Sequence, residues 1–115
     1  MPRPLDPAVI AELRELMGED FAALIDAFLA DSQLQIGAIA EAAANDDADR
    51  VRREAHSLKG ACVNLGANDL AQLCGRTEAL GRSGDCASAQ TMLPAVRSEL
   101  DAVRTALEAI GQARR

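Results

Sequence analysis

Tryptophan and tyrosine are absent from this 115-residue chain, and Phe21 and Phe28 are its only aromatic residues. Hydrophobic residues still make up 49% of the sequence, so any core must be packed from Ala, Leu, Val and Ile. Sheets favour β-branched and aromatic side chains, and their scarcity beside so much Ala and Leu predicts an all-α protein. Positive charge is also short: 12 basic residues face 18 acidic ones, for a net charge of −6. Nucleic-acid binding relies on cations that neutralise phosphates and on aromatic platforms, and this chain is poor in both. No apolar run approaches the roughly 20 residues that span a bilayer, and Met1-Pro2-Arg3-Pro4-Leu5-Asp6 lacks an apolar signal core. Three cysteines, Cys62, Cys74 and Cys86, cannot all pair within one chain. Together these absences predict a cytoplasmic protein in a reducing compartment, with no membrane or nucleic-acid partner.

What is present reads as helices separated by punctuation. Asp6-Pro7 is a helix start and Gly18 its stop, giving a short capping helix over about 6–17. Phe21, Leu24, Ile25, Phe28, Ile36 and Ile39 recur at three-and-four spacing, which predicts a helix from Glu19 to about Ala44. A third helix is expected from about Asp47 to Leu65, closed by Gly66, and a fourth from Asn68 to Leu80 before a turn at Gly81-Arg82-Ser83-Gly84. The last, from Asp85 to Ile110, carries Val96, Leu100, Val103, Leu107 and Ile110. Pro94 inside it removes a backbone donor, which predicts a kink or break. Long amphipathic segments joined by short turns favour an antiparallel, up-down four-helix bundle, with a core over about 19–110 in a single domain spanning 1–115.

One stretch carries chemistry: Arg52-Arg53-Glu54-Ala55-His56-Ser57-Leu58-Lys59-Gly60-Ala61-Cys62. It holds the only histidine and the only lysine. At about 100° per residue, Val51, Ala55, Leu58, Cys62 and Leu65 form an apolar stripe centred about 140° from His56, whereas Arg52, Lys59, Gly60 and Val63 fall on the histidine's side. His56 is therefore expected to face solvent beside a cation. Glycine within a helix costs about 1 kcal/mol against alanine, so Gly60 needs a reason. One turn beyond His56, it removes the side chain that would stand over the imidazole. Imidazole is a nucleophile near neutral pH, and phosphoryl transfer needs in-line access and positive charge near the phosphoryl oxygens.

His56-Ser57-Leu58-Lys59-Gly60-Ala61, then Leu65-Gly66-Ala67, Leu70-Ala71 and Glu78, resemble the histidine-containing phosphotransfer (HPt) domains of two-component phosphorelays. The resemblance covers nearly the whole chain and implies a four-helix bundle with a short extra helix. It implies that His56 accepts phosphate at the ring nitrogen farther from the backbone and exchanges it with aspartates of response-regulator receiver domains, including those of hybrid sensor kinases. Lys59 would then contact the phosphoryl oxygens, Gly60 would permit close approach, and Glu78 would accept the N–H of the other ring nitrogen. Thr77 stands where the family usually has Leu, which loosens one packing contact, and many family members have an uninterrupted helix where Pro94 lies.

Other signals are weaker. The cysteines lack CxxC spacing and there is no HxxxH pair or phosphate-cradling loop, so neither a metal nor another cofactor nor ATP is expected. The chain reads as a phosphocarrier, not an autonomous kinase, and as a monomer. Two alternatives share its features: an adaptor bundle that docks receivers without transfer, and a fragment resembling a sensor-kinase dimerisation domain, whose histidine is typically followed by an acidic residue instead of Ser57. Docking residues are expected around His56: Arg52 for steering and Val63 as an exposed apolar contact, while the resemblance implies that the first two helices also contribute, with Ile10 and Leu24 as candidates.

Overall fold

The computed structural model describes residues 3–113; Met1, Pro2, Arg114 and Arg115, at the ends of the expected 1–115 domain, lie outside them. Among the described residues five helices follow one another: α1 (Pro7–Met17), α2 (Phe21–Ala44), α3 (Ala48–Leu65), α4 (Asn68–Arg82) and α5 (Cys86–Ala113), with a 3-10 turn at Gly18–Asp20 joining the first two. Side-chain caps start three of them. Asp6 Oδ1 accepts from Ala8 N at 2.9 Å, Asp47 Oδ1 from Arg50 N at 3.1 Å and Asp85 Oδ1 from Ser88 N at 3.0 Å, each satisfying a donor that the first helical turn leaves unpaired.

The helices α2 to α5 form the bundle: α3 packs on α2 and α4, and α5 closes the ring by packing on the same two. Connections of a few residues leave each helix beside the one before it, the up-down arrangement expected from the spacing. The core is aliphatic, as the lack of rings requires. Ile36, Ile39, Val51, Leu58, Leu70, Val96, Val103 and Leu107 are buried, with Phe21 at one end.

Helix α1 lies across the end of α3. Gly66 ends α3 in the left-handed region at φ 77°, and its carbonyl accepts from Asp6 N at 2.8 Å. A Cβ on Gly66 would stand 2.9 Å from Val9 Cβ, so glycine serves both the helix stop and the docking of α1.

The structure departs from the sequence reading at three places. Helix α2 begins at Phe21, not Glu19, because Gly18–Asp20 form a tighter 3-10 turn. Helix α5 runs unbroken through Pro94 to Ala113. Gln90, whose carbonyl would have bonded the missing N–H, and Pro94 itself are both exposed, so water can take up the freed acceptor. Helix α4 continues past Leu80 to Arg82, which leaves only Ser83 and Gly84 for the turn. This last difference shapes the site.

Candidate functional site

His56 lies midway along α3, on the side away from Ala55, Leu58 and Cys62, and its side chain is 66% exposed. Its Nδ1 stands 3.0 Å from Glu78 Oε2 on α4. Glu78 is the surprise of the fold, a carboxylate whose side chain is only 6% exposed. Buried carboxylates need partners, and this one has three. Oε2 also accepts from Arg82 Nη2 at 3.0 Å, and Oε1 meets Lys59 Nζ at 2.7 Å as an ion pair, with no hydrogen bond of good angle besides. The ammonium of Lys59, and secondarily the His56 ring, hold the Glu78 carboxyl below its usual range against the opposing effect of burial. Glu78 is thus ionised at neutral pH and can only accept. The Nδ1 atom must then carry the proton, which leaves the lone pair of Nε2 as the ring's free nucleophile.

Gly81 brings α4 this close. A Cβ there would lie 2.7 Å from Arg52 N and 2.9 Å from Ala48 O, so the two backbones meet at a spacing that only glycine allows. Glu78, one turn before this crossing, and Arg82, the residue after it, are thereby set against α3. Thr77, buried beside Glu78, disposes of its hydroxyl by donating to Leu73 O at 2.8 Å.

On the other flank of His56, Gln35 Nε2 on α2 donates to Ser57 Oγ at 2.8 Å. Beyond that bond a groove of about 320 Å³ opens between α1, α2 and α3, its apolar walls including Leu13, Met17, Leu24, Phe28 and Ala61 and its polar rim Asp31 and Asn64.

The expected site residues divide as follows. His56, Lys59 and Glu78 are in direct contact through the carboxylate. Lys59 does not project freely towards an incoming anion, as its place on the helical wheel suggested, but is held by Glu78. Gly60 faces open space: a Cβ there would meet nothing within 4 Å. Val63 is 55% exposed, and Leu24 is half-buried along the groove. Arg52 is paired with Asp49 Oδ1 at 2.9 Å, one turn before His56. Ile10 is a correction: it is 5% exposed and pins α1 to the core, so it offers no docking surface. Sequence reasoning missed Arg82 and Gly81, which it placed in a turn. A signal was available, since Arg82 follows Glu78 at the spacing of helical ion pairs and would have gained meaning had α4 been extended. Cys62 and Cys74 stay outside this network, buried where α3 meets α4; the contact with Cys74, together with burial, pushes the Cys62 thiol up.

Comparison with known proteins accords with this geometry. The Hpt domain family matches residues 23–106. Among solved structures, the crystal structure of histidine-containing phosphotransfer protein B (HptB) from Pseudomonas aeruginosa PAO1 superposes with a TM-score of 0.93 at 31% identity, over 100% of both chains. Comparison with curated proteins gives no match. Among the described residues, no helix is long and apolar enough to cross a membrane. The chain belongs to the Hpt domain family and is a histidine phosphotransfer intermediate of two-component signalling.

Proposed function

We propose that His56 Nε2 is the phosphoacceptor and that Lys59, Gly60 and Glu78 serve it. One observation carries the reading: an exposed imidazole whose Nδ1 is bound by a buried carboxylate, so that the opposite nitrogen is both unprotonated and open to a partner. In the transfer step, the Nε2 lone pair bonds to phosphorus of a receiver's aspartyl phosphate. The P–O bond breaks as its electron pair returns to the aspartate carboxylate. Nδ1 keeps its proton, so the ring gains a positive charge that faces Glu78. The Lys59 ammonium has three donors and spends one direction on Oε1, leaving the others for the phosphoryl oxygens. Gly60 leaves the approach clear.

The receiver docks over the outward face of α3, with Val63 and Arg52 beside His56 and Leu24 in the groove wall. The chain works as one Hpt unit over 1–115 and as a monomeric phosphocarrier without kinase activity of its own. It is loaded by receivers that include those of hybrid sensor kinases. Three free thiols suit the cytoplasm.

The test is transfer of labelled phosphate from phosphorylated receivers of the same genome. The wild-type chain acquires acid-labile, alkali-stable label, and His56→Gln acquires none. Persistent labelling of that variant would sink the assignment.

A further inference from the structure

We propose that Arg82 is a positioning residue that sets how firmly Glu78 holds the Nδ1 proton of His56, and thereby the lifetime of the phosphoryl group on Nε2. The proposal rests on the reading of His56 as the phosphoacceptor and deepens it by naming how the store is timed.

The starting point is a shared atom. Glu78 Oε2 takes both the His56 Nδ1 proton and Arg82 Nη2, each at 3.0 Å, while Lys59 occupies Oε1. Arg82 is 65% exposed while its i,i+4 partner Glu78 is 6% exposed, so its reach towards the site serves the carboxylate and not the packing of its own side chain. The charged groups in contact with Glu78 or one turn from His56 are Lys59 and Arg52 on α3, the latter engaged by Asp49, and Arg82 on α4; from α2 the neutral Gln35 bonds Ser57.

Two permanent cations therefore face one carboxylate, and one of them competes with the imidazole for the same oxygen. Phosphorylation at Nε2 with Nδ1 still protonated makes the ring a phosphoimidazolium. In that form imidazole is a good leaving group: water attacks phosphorus, the P–N bond breaks with its electron pair returning to Nε2, and inorganic phosphate departs with release of the water's proton. A carboxylate given wholly to Nδ1–H keeps the ring in this labile form. A guanidinium on the same oxygen weakens that hold, so the Nδ1 proton passes more readily to water and the phosphoryl group remains on a neutral ring, which leaves poorly. Arg82 thus lengthens storage.

The experiment has two arms on the full chain. In the first, NMR follows the His56 ring signals of the unphosphorylated protein against pH. Arg82→Ala should raise the titration midpoint by about 0.3 to 0.7 pH unit, the size expected for loss of one exposed charge interaction, and Arg82→Lys should restore most of the wild-type value. In the second, the protein is phosphorylated with phosphoramidate and the loss of phosphohistidine is followed with no receiver present. Arg82→Ala should shorten the lifetime about two- to fivefold, with rescue by lysine. Arg76→Ala, on the exposed side of the same helix, should change neither. An unchanged midpoint and lifetime, with slowed transfer to receivers alone, would make Arg82 a docking contact and overturn the proposal. Equal effects of Arg76→Ala would reduce it to bulk charge and overturn it as well. A wild-type chain that takes phosphate from neither phosphoramidate nor a receiver refutes the phosphoacceptor reading by itself. The titration arm fails only if Arg82 does not act on Glu78, so the two failures are separate.

Discussion

The two flanks of α3 differ in kind. Towards α4, backbones meet at Gly81 and three polar groups, His56, Lys59 and Arg82, converge on the buried carboxylate of Glu78 within 3.0 Å. Towards α2, the polar contacts are an exposed Arg50–Glu41 pair at 3.5 Å and the Gln35–Ser57 bond, beyond which lies an apolar groove of about 320 Å³. The first flank concentrates its effect in a few atoms at fixed distances, so a shift of one helix by less than an ångström would matter to every partner of Glu78. The second spreads contact over many side chains. Chemistry and partner choice can therefore change independently in this bundle, with the exposed ring of His56 between them.

That division breaks first at Gly60 if it breaks at all. Because a Cβ there meets nothing, Gly60→Ala should keep the fold and gain up to about 1 kcal/mol in thermal or denaturant unfolding. Gly60→Gln should also fold, yet transfer phosphate about 100-fold more slowly, since its side chain would stand over Nε2 where the receiver must approach; that factor corresponds to about 2.7 kcal/mol. Transfer kinetics beside melting curves decide the matter. A wild-type rate for Gly60→Gln would mean that the docking flank alone orients the receiver and that access over the ring is irrelevant.

The opposite outcome is expected two turns away in space. Gly81→Ala forces a Cβ to within 2.7 Å of Arg52 N, backbone that cannot rotate aside. It should cost about 1 to 3 kcal/mol of stability and lengthen the Glu78–His56 contact, visible as loss of the Nδ1–H signal in NMR. If Gly81→Ala melts like wild type, the α3–α4 crossing is not the rigid element this comparison requires.

Glu78 links stability to pH with a definite sign. Its carboxyl lies below the ordinary value of 4.5 in the folded protein, chiefly because of Lys59, so the unfolded chain binds its proton first as pH falls. The stabilisation is fully present above about pH 4.5 and is lost as pH falls through the depressed folded value. Glu78→Gln should therefore be less stable than wild type by about 1 to 2 kcal/mol at neutral pH, and the two curves should converge in acid. A gap independent of pH would show that shape, not charge, is what Glu78 contributes.

Much of this was legible in the sequence, and the failures have a common cause. Helix starts were read correctly at Asp6, Asp47 and Asp85 because caps are local chemistry. The exposure of His56 followed from the apolar stripe of its own helix. What a single helix cannot reveal is how near its neighbour comes. Gly81 was read as a turn because glycine at a helix end usually terminates it, whereas here it is buried at a helix crossing. Arg82 disappeared from view with it. Ile10 was offered as a surface contact because the family resemblance gives the first helix a part in docking, and nothing in the sequence of α1 says which of its apolar residues the bundle covers. Pro94 was weighed by its local penalty, without knowledge that its freed carbonyl acceptor would face water.

The smallest effect is expected at Val63, and it tests the docking side of the comparison most cleanly. Val63 is 55% exposed on the outward face of α3, so its truncation leaves no cavity and Val63→Ala should leave stability unchanged or slightly raised by alanine's better helix propensity. At a receiver interface the lost methyl groups should weaken docking about threefold, which corresponds to about 0.65 kcal/mol, a share typical of contacts outside a hot spot. The loss should appear in KM for phosphorylated receiver with kcat intact, since no atom of Val63 reaches the imidazole network. The phosphohistidine lifetime measured without receiver should also match wild type. A fall in kcat at constant KM would place Val63 with the α4 flank, and the separation of chemistry from docking across His56 would have to be abandoned.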